Sequence, residues 1–313
     1  MSQSFLRLIA LRLLSSILVL WVVLTLVFFL SRAIGDPASL LAGADLTATR
    51  ESIEQTKERL GLNDPLMERY GRFLWNAVQL DFGVSLRSAQ PAMDDVTSRI
   101  GNTLQLAGAA LIFAIGVGVP IGVLAAIKRG STIDLIGRLF ALIGQATPSF
   151  WQGLMLIFFL SAELHLLPSQ GKGDFRNLIM PAITLGSFFA AGMVRLTRSA
   201  MLEVLDSDYI RTARAKGLRE STVIRRHALR NALFPVITIL GLYVGDLIAG
   251  SIIIETVFAW PGVGLLIWAS IRGADFPVVQ AAVVVTASWV IIANLMVDLS
   301  YTYLDPRLNR AAL

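Results

Sequence analysis

The chain has 313 residues, 55% of them hydrophobic and only 16% charged, with a formal net charge of +5 and a mean hydropathy of +0.67. That balance points to lipid as the main solvent rather than to one or two soluble domains. There is no cysteine, which excludes disulfides, thiolate zinc sites and cysteine nucleophiles.

The first apolar run, Leu13 to Leu30, carries no charged residue. Arg7 and Arg12 precede it and Ala42-Gly43-Ala44 resembles a signal-peptidase site, so a cleaved signal is one reading. The uninterrupted run is longer than a usual signal core, which favours a retained anchor. Residues 31–101 are of mixed charge and too long for the positive-inside rule to govern; they are expected outside the cytoplasm. Within them Leu66, Tyr70, Phe73, Leu74, Ala77 and Val78 recur at helical spacing after the Asn63-Asp64-Pro65 turn, which predicts an amphipathic helix. Asp81-Phe82-Gly83 reads as a turn.

Four further runs are free of Asp, Glu, Lys and Arg: Thr103 to Ile127, Leu139 to Ala162, Asn177 to Val194 and Val278 to Val297. A sixth, Asn231 to Ile254, is broken only by Asp246. Each is long enough to cross a hydrocarbon core of about 30 Å. Backbone polar groups find no water there, so the spans should be helices. The expectation is an all-α membrane protein with six transmembrane helices. Gly116, Gly118, Pro120 and Gly122 in the second span, and Gly144 and Pro148 in the third, offer close helix approach and helix breaks. Gln145, Thr147, Pro148 and Ser149 form a polar stretch that is a candidate for lining a pathway, as is Asp246, because intramembrane acids are functional candidates by default. Its alternative role is a structural hydrogen bond to a neighbouring helix or to a partner subunit.

Lys and Arg concentrate before the first span, at Lys128, Arg129 and Arg138, between Arg195 and Arg230, and after the sixth span. Both termini are therefore expected in the cytoplasm. The densest segment, "YIRTARAKGLRESTVIRRHALRNALFP" from Tyr209 to Pro235, is either a plain basic loop or a built structure. Asp206-Ser207-Asp208 can start a short helix and Gly217 can end it in the left-handed conformation. Ser221 can then cap a second helix that continues through His227 to Pro235 and feeds the span over Asn231 to Ile254.

The spacing within Arg211-Thr212-Ala213-Arg214-Ala215-Lys216-Gly217 resembles the "EAA" signature of binding-protein-dependent ABC importer permeases, a Glu-Ala-Ala triplet followed after three residues by glycine. Arg211 replaces the Glu, Thr212 the first Ala, and Arg230 the proline expected thirteen residues after the glycine. These departures coincide with the variant of the dipeptide, oligopeptide and glutathione importer permeases, which "DYIRTARAKG" and "HALRNALFPV" resemble. So do "GDPA" at Gly35, "LGLNDPL" at Leu60, "DFGVSL" at Asp81, "PSFWQG" at Pro148, "ETVFAWPGVG" at Glu255, "DFPVVQ" at Asp275 and "YLDPRL" at Tyr303.

The resemblance implies a type I ABC importer permease fold in the bacterial inner membrane, with an N-terminal helix and extracytoplasmic region over 1–95, an ABC transmembrane type-1 domain over 96–305 with its coupling loop at about 206–231, and a cytoplasmic tail at 306–313. It implies that Tyr209, Ile210, Arg211, Ala213, Arg214, Lys216 and Gly217 form the helix that docks on an ATPase subunit, with Tyr209, Ile210 and Ala213 as one contact face. The implied partners are a second homologous permease, two ATPase subunits and an extracytoplasmic binding protein. The chain itself has no Walker A pattern, so ATP and Mg belong to the ATPases and no cofactor is expected here. Peptides are the expected cargo; nickel chelates, glutathione, opines and some sugars are alternatives within the family.

Two other classes compete. An ion-coupled carrier would show inverted repeats with ionisable groups at mid-depth, and only Asp246 lies near a span centre. An intramembrane zinc protease would need a His-Glu-x-x-His pair, whereas His165 and His227 are the only histidines and read as structural or solvated.

Overall fold

A computed structural model describes residues 3–34 and 64–304. The "GDPA" motif, the first residues of "LGLNDPL", the last of "YLDPRL" and the 306–313 tail lie outside the described residues. Ten helices are labelled here in chain order: α1 (Gln3–Ile34), α2 (Leu66–Val78), α3 (Ala92–Ile127), α4 (Thr132–Ala146), α5 (Ser149–Leu156), α6 (Arg176–Leu205), α7 (Asp208–Ala215), α8 (Leu229–Val257), α9 (Val263–Arg272) and α10 (Phe276–Leu304). A π-helical stretch, Ile157–Glu163, continues α5, and a helical turn at Glu220–Thr222 followed by π-helical Val223–Ala228 leads into α8.

Among the described residues, five segments are long and apolar enough to cross a membrane, within α1, α3, α6, the Glu220–Val257 run and α10. They coincide with five of the six expected spans. The span expected over Leu139 to Ala162 is instead divided into α4 and α5 with its π-helical extension. The cause is local. Thr147 adopts an extended conformation, φ −86° and ψ 126°, as a residue before proline prefers. Pro148 has no N–H to continue the ladder and serves as N-cap of α5.

The chain divides into two compact units. One comprises the described residues up to Gly101 with Gly262–Ile291. In it α2 is the helix the spacing predicted, and it lies on α1: Tyr70 and Phe73 stack on Phe28 at 5.1 and 5.3 Å, and the Tyr70 and Thr25 hydroxyls share a 2.7 Å hydrogen bond. Leu66 and Val78, expected on the same face, are exposed. The Asp81-Phe82-Gly83 turn is closed by the Gly83 N–H donating to Asp81 Oδ1 at 2.9 Å, with Gly83 at φ +86°. Directly after it, the Ser85 hydroxyl and the Leu86 N–H donate to the two carboxylate oxygens of Asp275 at 2.6 and 3.1 Å. Asp275 is buried, so "DFGVSL" and "DFPVVQ" are two halves of one clasp. Asp275→Ala leaves both donors without that acceptor and is expected to cost about 1–3 kcal/mol, read as a lower unfolding midpoint of the purified protein.

The second unit comprises Asn102–Pro261 with the described residues from Ile292. Its core joins α3, α6 and α8 with Phe258 and Trp260. Small residues set the spacing, as the glycine pattern predicted. A Cβ on Gly118 would stand 2.7 Å from the Ala190 carbonyl, and one on Gly122 would stand 2.8 Å from that of Val194. The "ETVFAWP" segment closes one end of this unit: the Thr103 hydroxyl donates to buried Glu255 at 2.7 Å, and the Trp260 indole N–H donates to the Asn102 carbonyl at 2.9 Å. The Asn102 amide in turn donates to the Pro261 carbonyl at 2.7 Å.

Candidate functional site

The basic segment is a built structure. Ser207 is the N-cap of α7 with extended backbone, but its hydroxyl donates back to the Val204 carbonyl at 2.5 Å rather than capping forward. Gly217 ends the element at φ +75°, its N–H donating to the Arg214 carbonyl at 2.9 Å, a left-handed stop that glycine adopts without steric cost. The second helix begins earlier than expected. Arg219 is its cap and Ser221 lies inside it, because Arg219 is the last extended residue before the turn. As expected, this helix runs on through Pro235 and feeds the membrane-crossing run, Pro235 sitting within α8. Arg214 pairs with Glu220 at 2.7 Å, tying α7 to the segment that follows, and that carboxylate holds the Arg214 guanidinium above its usual pKa.

The expected contact face of Tyr209, Ile210 and Ala213 is split. Ile210 and Ala213 are buried in a cluster with Met201, Val223, Ala228 and Ala232, whereas Tyr209 is 44% exposed. The reason is the helix-turn-helix shape itself: a two-turn helix needs an apolar seat, and these two side chains are its only buried ones. Tyr209, Arg211, Thr212, Arg214, Lys216 and Gly217 form the outward surface, with Tyr209 steadied by a hydrogen bond from the Asn231 amide at 2.9 Å.

Just before this segment, α6 is fastened to the first turn of α4. Arg198 donates through Nε and Nη2 to both oxygens of Asp134 at 2.6 and 2.9 Å, and the Gly130 N–H adds a third bond at 3.0 Å. Asp134 is buried, and Arg198 foremost, then Gly130, holds its carboxyl down at about 2 against the cost of burial. A carboxyl depressed in the folded state stabilises fully above its unfolded pKa and loses that contribution as pH falls through the folded one. The stability gap between wild type and Asp134→Asn is therefore expected to be widest at neutral pH and to close between about pH 4 and pH 2, measured by unfolding in detergent across that range.

The candidate pathway residues come together. Gln145, Thr147, Pro148, Ser149 and Asp246, drawn from the break between α4 and α5 and from α8, line one cavity of about 470 Å³ with Gln152 and Phe188. An adjoining cavity of about 620 Å³ shares Gln145 and Ala146 and is otherwise lined by residues of α4 and α6, including Arg138, Arg195 and Arg198. Both volumes are in the range of small-molecule sites. Gly192 makes room at Gln145: a Cβ there would meet the Tyr243 hydroxyl and stand 3.3 Å from Gln145 Nε2. His165, expected to be structural or solvated, is exposed.

A family profile described as "Binding-protein-dependent transport system inner membrane component" matches residues 118–310, and the corresponding N-terminal profile matches residues 5–107. The chain belongs to this inner membrane component family. It is 41% identical over 306 residues to the dipeptide transport system permease protein DppB of Escherichia coli strain K12, with 88% of this chain and 90% of that protein covered. It is 40% identical over 299 residues to the glutathione transport system permease protein GsiC of the same strain, with 95% and 97% covered. Among solved structures it is similar to a chain of the inward-facing MetNI methionine ABC transporter, with a TM-score of 0.54, 20% identity, and 70% of this chain and 96% of that one covered. The expected type I ABC importer permease fold is thus the fold of this family member.

Sequence reasoning missed Gln152, Tyr243 and Arg195 as neighbours of the cavities. Gln152 lies in the "PSFWQG" motif, one turn beyond the polar stretch, and accepts a 2.5 Å hydrogen bond from the Ser187 hydroxyl. Its position was available from helical spacing. Arg195 was read only as part of the basic loop, and nothing in the sequence distinguishes it from the arginines around it.

Proposed function

We propose that this family member is one permease subunit of an ATP-driven importer of short peptides, forming half of the translocation path with a second homologous permease. Two ATPase subunits, carrying ATP and Mg, work on it from the cytoplasm, and an extracytoplasmic binding protein delivers cargo. Both termini face the cytoplasm, and the broken α4–α5 segment makes the sixth crossing. The observation that carries the reading is the position of α7: it lies between α6, which lines both cavities, and the run into α8, which carries Asp246. A push on α7 is thereby delivered to two walls of the cavity by short, hydrogen-bonded connections. Kinship with permeases named for dipeptide and glutathione transport supports peptide cargo.

The test is uptake of labelled trialanine by proteoliposomes holding the chain with its partner permease and ATPases. Uptake should require both the binding protein and ATP on the cytoplasmic side. Uptake driven by an ion gradient without ATP would contradict the reading in favour of a secondary carrier. Reporter fusions at Ser2 and Leu313 should both report cytoplasm.

A further inference from the structure

Two charges of opposite sign flank the pair of cavities without being used up by the fold. Asp246 is exposed to the first cavity and Arg195 to the second. Neither makes a hydrogen bond or ion pair with another described residue, whereas the other arginines of the second cavity, Arg138 and Arg198, are both engaged by Asp134. An acid within a membrane helix is retained at a cost of several kcal/mol unless something compensates it, and a structural role within this chain would appear as a partner on a neighbouring helix. Tyr243, three positions before Asp246 on α8, sets its hydroxyl against Gly192, three positions before Arg195 on α6, and stacks on Phe189 at 4.8 Å.

Phe188 lines the first cavity and Arg195 the second, seven positions apart on one stripe of α6. At the helical rise this sets the linings of the two cavities roughly 10 Å apart along α6, about the length of an extended chain of three residues. We infer that Asp246 and Arg195 read the two charged ends of a short zwitterionic peptide in transit, Asp246 taking the α-ammonium group and Arg195 the α-carboxylate, with Gln145 and Tyr243 in the neck between them. This deepens the peptide-import reading and rests on it. Specificity is then checked a second time inside the permease rather than only at the delivering protein.

The experiment uses the assembled permease–ATPase complex in lipid discs, without binding protein, and labelled trialanine as the probe. Unlabelled trialanine, N-acetyl-trialanine and trialanine amide compete for it. For wild type, capping either end should weaken competition about tenfold or more, the loss of one charge-assisted hydrogen bond. Asp246→Asn should erase the penalty for acetylation and leave that for amidation; Arg195→Gln should do the reverse, and Arg195→Lys should restore discrimination against the amide. Retention of the ATPase subunits, measured on each variant, reports separately on the importer reading. Equal competition by all three peptides in wild type, absence of trialanine binding by an intact complex, or uniform loss for all three in both variants would overturn the inference. Loss of the partner permease from Asp246→Asn would assign that carboxylate to the interface and overturn it as well.

Discussion

Ala213→Asp is expected to abolish substrate-stimulated ATP hydrolysis while leaving the chain inserted in the membrane. The side chain at this position is 7% exposed and faces Met201, Ile210, Val223 and Ala228, so an aspartate there is an unpaired charge in an apolar seat. Such a defect costs about 3–5 kcal/mol, more than a two-turn helix can hold against, and α7 should leave its seat. Trypsin then reports the event directly, because Arg211, Arg214, Lys216 and Arg219 all lie in or beside α7. Cleavage there should accelerate strongly in the variant. Unchanged protease resistance together with normal coupled hydrolysis would show that the seat is not needed.

A second large effect is expected from Gly122→Leu. Even a Cβ at this position stands 2.7 Å from Thr197 Cβ and 2.8 Å from the Val194 carbonyl. Backbone cannot yield as a flexible side chain does, so α3 and α6 must separate. Overpacking of this kind typically costs about 1–3 kcal/mol, occasionally more, and here the displaced residue next in line is Arg198, which holds Asp134. Gly116→Leu is the control, since a Cβ there meets nothing within 4 Å of it. The Gly122 variant should show a clearly lower unfolding midpoint and the Gly116 variant an unchanged one; equal midpoints would refute the close crossing.

How much of this was legible in the sequence depends on the range of the interaction. Spans in α3, α6, α8 and α10 were readable because a charge-free run of sufficient length has few other homes. The break at Thr147-Pro148 was written locally too, yet an uninterrupted apolar run hid it: hydropathy counts side chains, whereas the break is a matter of backbone conformation and a missing N–H. The same distinction explains Ser221, a good capping residue that lost its place to Arg219. Ser85 and Asp275, which meet across 190 positions, were each visible as part of a motif, but no local rule pairs them. At the cavities, chemistry alone singled out Gln145, Thr147, Ser149 and Asp246, since polar groups at membrane depth stand out. Arg195 did not, because it lies among many arginines that serve topology.

The α7 segment also shows where pattern and packing diverge. Helical spacing put Tyr209, Ile210 and Ala213 on one expected contact face. It could not say that the chain itself would cover two of them, which leaves the basic rim and Tyr209 for a partner. On the proposed function, α7 would meet the ATPase through Tyr209, Arg211 and Lys216 rather than through its apolar side. The absence of native cysteine makes the direct measurement clean. Arg211→Cys introduces one thiol into the chain, and in the assembled complex a short thiol-reactive cross-linker should join it to an ATPase subunit carrying single cysteines along its membrane-facing groove. Cross-linking should arrest ATP-driven uptake, and cleavage of the linker should restore it. Failure of any groove position to cross-link, with the complex intact and transporting, would contradict the account.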